Sequence, residues 1–163
     1  MATDAATAID DVVTTNRALV DTFVRMLNEH DPDMVAELVA VHYVNHNPFV
    51  DDGRDANREL WAGFFAALPD LQVSIDDVVV TEDRVVGRFT YRGTHRGELF
   101  GIPASGRRIE MRSIDIWRVA DGLFVEHWDQ LNLLDMLRQI GPLALARTGG
   151  LFVFRAVRDR VRR

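Results

Sequence analysis

The 163-residue chain contains no cysteine, no lysine, five prolines and no apolar run approaching a membrane span. The missing cysteines exclude disulfides, thiolate metal sites and thiol nucleophiles, and they fit a cytoplasmic location. Without a stretch of ~18–20 apolar residues the chain offers no membrane span. Met1 to Asp11 lacks the basic start and apolar stretch of a secretory signal and carries Asp4, Asp10 and Asp11. All 19 basic residues are arginine, which reads as base-composition bias rather than phosphate recognition. The net charge of −6 should keep nucleic acid away from the body of the protein. The charge is uneven: from Arg155 on, five arginines against Asp159 give a local +4, leaving −10 on the remainder. The hydrophobic fraction of 47% and charged fraction of 27% are those of an ordinary globular domain, large enough for one core.

Three regions follow along the chain. Residues 1–14 read as a small, acidic, disordered leader; 15–141 as one domain; 142–163 as a basic C-terminal extension. Within the domain, Ala18, Leu19, Phe23, Met26 and Leu27 recur at helical spacing over Thr15–Glu29. Asp31-Pro32-Asp33 opens a short second helix through Leu38, with acids in its first turn. Val41–Pro48 is extended. A third helix spans Arg54–Ala67, with Leu60, Trp61, Phe64 and Phe65 as its apolar stripe. Strands then follow at Leu71–Val80, Arg84–Arg92, Arg107–Val119 and Leu123–Leu131, the last two joined by an Asp121-Gly122 turn. The Gly93–Gly106 connection is irregular, and Leu133–Ile140 forms a last helix stopped by Gly141-Pro142. Helices followed by an antiparallel meander predict an α+β fold, a curved sheet with helices on one face enclosing a cavity.

Strand alternation aims two sets of residues at that cavity. His127 and Asp129 share one face of the last strand. Asp115 lies among Met111 and Trp117 on the mostly apolar face of the strand before it, where a carboxylate is costly unless paired or protonated. An Asp or His in such a cavity can move a proton alpha to a carbonyl or activate water, worth ~10²–10⁴-fold; the same spacing also suits a structural hydrogen-bonded pair. Tyr43 and Asn45 alternate to one side and can hold a substrate oxygen, although turn chemistry alone accounts for Asn45 and Asn47. His46 stands beside them. His95, next to the glycine-rich connection, is placed at a pocket mouth, and Trp61 and Trp117 as pocket wall. No metal site is expected: His42 and His46 fall on an extended segment and no third ligand stands at recognisable spacing. The Gly93–Gly106 segment has neither the Walker lysine nor dinucleotide spacing, and no serine sits in a nucleophile elbow.

Taken together, Tyr43-x-Asn45-His46, Gly93-Thr94-His95-x-Gly97, Phe100-Gly101-Ile102-Pro103-Ala104-x-Gly106-Arg107, Asp115-x-Trp117-Arg118 and Glu126-His127-Trp128-Asp129 resemble the SnoaL-like polyketide cyclases, from roughly Ala18 to Gly141. The resemblance implies an NTF2-like cone-shaped α+β barrel, a homo-oligomer (dimer or tetramer), and cofactor- and metal-free intramolecular aldol closure of a polyketide ester. It places the acid/base on Asp129, with His127 and Asp115 as further catalytic groups. The same fold hosts limonene-epoxide-type hydrolases, whose Tyr-x-Asn pair and aspartate look similar to Tyr43, Asn45 and Asp129, with Arg112 and Asp115 as candidates for an Arg/Asp partner arrangement. A non-catalytic binder of an apolar metabolite is the third reading. The arginine-rich tail lies outside the resemblance.

Overall fold

The computed structural model describes residues 2–141, so the basic extension 142–163 lies outside the described residues. Helix α1 spans Ala2–Glu29. The leader expected over 1–14 is therefore corrected: from Ala2 to Thr14 the backbone is already helical. The reason is local. Alanine is the strongest helix former and acids favour a helix N-terminus, and Ala2, Asp4, Ala5, Ala6 and Ala8 open this segment. The buried stripe is Asn16, Leu19, Val20, Phe23, Met26 and Leu27, while Ala18 faces outward. His30 ends the helix in the left-handed region at φ 57°.

A 3-10 turn (Pro32–Met34) and a one-turn helix α2 (Val35–Leu38) lead into β1 (Val39–Asn45), and α3 follows at Arg54–Ala67. The remaining elements are β2 (Gln72–Val80), β3 (Arg84–Thr94), β4 (Arg108–Ala120), β5 (Leu123–Leu131) and α4 (Leu133–Ile140). The sheet order is β1-β5-β4-β3-β2. Strands β2 to β5 pair antiparallel as expected, and β1 joins the far side of β5 in parallel. The sheet is open, with β1 and β2 as its edges, and the helices cover its inner face.

Side-chain amides tie the helices to the sheet. Asn16 donates to the carbonyls of Thr81 and Glu82 at the β2–β3 turn, both at 2.9 Å. Asn28 both donates to and accepts from the backbone of Val73, acting as a short extra strand on the edge of β2. Gln139 does the same for Glu110 on β4. In the core Phe23 meets Trp61, Phe89 and Trp117 edge-on, with ring centroids 5.6, 5.6 and 5.3 Å away. Edge-to-face pairs of this kind add about 0.5–1.5 kcal/mol each beyond their buried area.

The inward face of β4 is Ile109, Met111, Ser113, Asp115, Trp117 and Val119, all buried, as strict alternation requires. On β5 alternation alone would send Phe124 and His127 to opposite faces. A bulge at Val125, where the register slips between Arg118 and Val119, resets the phase. Phe124, His127 and Asp129 therefore all face the same cavity.

Candidate active site

Between the sheet and α1–α3 lies a cavity of roughly 700 Å³, its open mouth included. Its walls are aromatic and aliphatic, with eight polar side chains: Tyr43, Asn45, Asn47, Asn57, Tyr91, Asp115, His127 and Asp129.

The antiparallel register sets Asp115 directly opposite Asp129, and Trp117 opposite His127. Two carboxylates facing each other across a ladder repel, so each needs its own partners. Asp115, with 7% of its side chain exposed, spends both oxygens within the protein. Oδ1 lies 2.9 Å from His127 Nε2, and Oδ2 accepts a short hydrogen bond from Ser113 Oγ. Ser113 is in turn 3.4 Å from the Tyr91 hydroxyl. Burial, with the Asp115 charge adding to it, pushes the Tyr91 phenol well above its usual range, so it stays a donor.

The imidazole of His127 is held by both of its nitrogens and by two aromatic rings. Its Nδ1 is 3.3 Å from Asn45 Oδ1, and its ring stacks on Trp117 at 5.2 Å and on Tyr43 at 6.2 Å. Asn45 Oδ1 also accepts the backbone N–H of Asn47 at 3.1 Å, and this fixes which end of the amide meets the ring. Both imidazole nitrogens therefore face oxygen.

Asn47 repeats the same turn one step on. Its Oδ1 accepts Phe49 N–H at 2.9 Å, and its Nδ2 donates to Asp129 Oδ2 at 2.6 Å. Asp129 Oδ1 takes no hydrogen bond from another described residue. Burial raises the Asp129 carboxyl above its ordinary range against the opposing effects of His127 and Asn47, and the Asp115 charge adds to the rise. The Tyr43 hydroxyl is pushed well above its usual range, first by burial, although a hydrogen bond from Trp117 acts the other way.

Of the residues expected at the site, Asp115, His127, Asp129, Tyr43, Asn45, Trp61 and Trp117 all line the cavity. Three do not. His46 stands on the outer face, stacked on Trp128 at 4.7 Å and 3.0 Å from Glu126 Oε1. Arg118 first, and His46 second, hold that glutamate below its usual range. Arg112 belongs to the outward register of β4 and is 59% exposed near Glu110. It cannot partner Asp115, which points the other way, and no arginine is among the residues lining the cavity. His95 is fully buried behind the β3–β4 connection, its Nδ1 3.1 Å from Ser105 Oγ, and burial lowers its affinity for a proton. From that connection it is instead Phe100 that reaches the cavity wall, left-handed at φ 51° and packed on Phe49 and Phe64 at 5.7 and 5.5 Å. That loop lies close against α3: a Cβ on Gly97 would meet Ala66 O at 2.5 Å.

Sequence reading missed Asn57, Tyr91 and Ser113, and gave Asn47 only a turn. The signals were present for two of them: Ser113 is in the inward register of β4, and Asn57 falls on the apolar stripe of α3 at Leu60, Trp61 and Phe64 spacing.

A family model for SnoaL-like polyketide cyclases matches residues 17–140. Aklanonic acid methyl ester cyclase DnrD of Streptomyces peucetius is 30% identical over 136 residues, which is 76% of this chain and 88% of that protein. Among solved structures, TsrD from Streptomyces laurentii superposes with a TM-score of 0.74 at 37% identity, covering 78% of this chain and 96% of that one. AclR from Streptomyces galilaeus, described as a candidate hydroxylase, gives a TM-score of 0.70 at 28% identity, covering 78% of this chain and 96% of its own.

Proposed function

The chain belongs to the SnoaL-like polyketide cyclase family, enzymes that act on small molecules, and on that premise we propose that it closes a ring in a polyketide-like ester by an intramolecular aldol reaction. Asp129 is the acid/base. The observation that carries this reading is the inventory of carboxylate oxygens at the cavity: both of Asp115 are engaged, one of Asp129 is engaged, and Asp129 Oδ1 is left for substrate.

Asp129 removes the proton alpha to a substrate carbonyl, giving an enolate. The enolate carbon attacks a second carbonyl in the same molecule, and the new alkoxide takes the proton back from Asp129, so nothing is consumed. The raised carboxyl is the right kind of base, because a poorly solvated carboxylate binds a proton more readily. Tyr43, kept protonated by its burial, donates toward the oxygen on which charge develops. His127 and Asp115 act as positioning residues. With both nitrogens engaged and its ring packed against Trp117 and Tyr43, His127 fixes the electrostatics beside Asp129 rather than exchanging protons with substrate.

The outward turn of Arg112 removes the arginine that an epoxide-hydrolase arrangement would have used. Kinship of fold alone does not fix the reaction, so the test addresses chemistry. With aklanonic acid methyl ester as probe, Asp129→Asn should lower turnover ~10²–10⁴-fold. The ring-closed product formed in ¹⁸O-water should carry no label beyond a no-enzyme exchange control. Wild-type turnover by the variant, or enzyme-dependent label in the product, overturns the proposal. The reading includes a cytoplasmic homo-oligomer; Val79, Ile114 and Ile116 lie 60%, 49% and 38% exposed on the sheet, as a face between copies would need, and light scattering on purified protein checks it.

A further inference from the structure

The polar groups of the cavity differ in what they have left to give. Asp115, His127, Asn45 and Asn47 are engaged with one another or with the backbone, and Tyr91 is engaged with Ser113. Asn57 is different. It is 94% buried, at 6% relative exposure, and it lines the cavity. Its backbone N–H continues the helix onto Gly53 O at 3.2 Å, but its side-chain amide bonds no described residue. Nor is that amide sealed into packing, because the side-chain atom of that kind found among the described residues is His95 Nε2. The amide therefore opens onto the cavity.

Its neighbours sharpen the point. Asn57, Leu60, Trp61 and Phe64 stand at i, i+3, i+4 and i+7 of α3 and all line the cavity. The other three are apolar, so an amide sits where a leucine would complete the stripe. A ligand that enters the cavity closes off this amide and must supply its hydrogen bond, so the amide discriminates against analogues that cannot.

We propose that Asn57 is a specificity-determining residue that reads a carbonyl or hydroxyl oxygen of the substrate from the α3 wall, across from the sheet wall that carries Asp129. The amide both donates and accepts, so it takes either oxygen type. The substrate class is thus an apolar ring system bearing an oxygen function at a second place besides the reacting carbonyls. This deepens the reading of the cavity as the substrate site, and does not depend on Asp129 being the base.

The test is binding, not turnover. Two isosteric probes, 2-acetylnaphthalene and 2-isopropenylnaphthalene, differ only in an oxygen replaced by a methylene. Their dissociation constants are read from quenching of Trp61 and Trp117, which line the cavity. Wild type should prefer the ketone by about tenfold, and Asn57→Leu and Asn57→Ala should each bring the ratio near one. Taking the ratio within each variant cancels any general change in the cavity. Arg112→Ala, on the outer face, should keep the preference. A wild type that does not favour the ketone, Asn57 variants that retain the preference, or its loss in Arg112→Ala would each overturn the proposal. A binding result of the expected kind stands even if the ¹⁸O and turnover tests remove the cyclase reading.

Discussion

Truncating Asp115 to alanine should destabilise the protein far more than the isosteric change to asparagine. The carboxylate is 7% exposed, and its two oxygens hold Ser113 on one side and His127 on the other. Both partners are themselves enclosed: Ser113 is 2% exposed, and the His127 side chain 12%. Removing one member of a buried pair leaves the other without its counterpart, a loss of ~3–5 kcal/mol. At about 2–4 °C per kcal/mol for a chain of this size, that is a fall of ~6–20 °C in melting temperature. Asparagine keeps the volume. Its oxygen still accepts from Ser113, and its NH₂ can donate to a neutral His127 Nε2 while Nδ1–H stays on Asn45. The cost then falls to about 1 kcal/mol, or ~2–4 °C. Thermal unfolding followed by circular dichroism at pH 7 measures both variants. An Asp115→Ala protein melting within ~3 °C of wild type, or no better preserved by asparagine, would refute the claim that this carboxylate organises the site.

Stability should also report on Asp129. Its carboxyl is raised above the ordinary value of 3.8, chiefly by burial, so between that value and the raised one the native state holds more protons than the unfolded chain. Stability from this group therefore falls as pH rises through that window. Asp129→Asn, which cannot ionise, should melt higher than wild type above the window, with the difference closing near pH 3.8 and below; a constant difference at all pH would contradict the raised carboxyl. On the outer face, Arg112→Ala and His46→Ala should leave kcat/KM within about twofold, because their partners Glu110 and Glu126 are exposed-face ion pairs of small worth. A tenfold loss in either would return these residues to the site.

How much of the site could be read beforehand depended on the element carrying each residue. On β4 the alternation of Met111, Ser113, Asp115 and Trp117 is unbroken, so the inward face follows from the period of a strand. On β5 the pairing of His127 with Asp129 was legible, but the presence of Phe124 on the same wall was not, because it needs the bulge at Val125. Arg112 was misplaced when chemistry was weighed above register: it stands three residues from Asp115 on the same strand and so points the opposite way. His46 failed for a similar reason, since it directly follows β1 and alternates against Tyr43 and Asn45. His95 lies in a connection without period, where nothing local decides between a cavity mouth and the interior.

Period and turn chemistry were enough to set the elements from α3 to α4 and the meander, and the family was legible only through the resemblance of its motifs, such as Glu126-His127-Trp128-Asp129. Such signals act between residues near in sequence, and strand and helix periods are local quantities. What brought Asn45 and Asn47 to His127 and Asp129, 82 residues away in each case, was the parallel docking of β1 against β5, with Asn45 beside His127. That pairing is a long-range choice made by burying Val39 and Tyr43 in the shared core, and no short window of sequence encodes it. The same packing decided which polar groups spend their hydrogen bonds on one another and which are left facing the cavity.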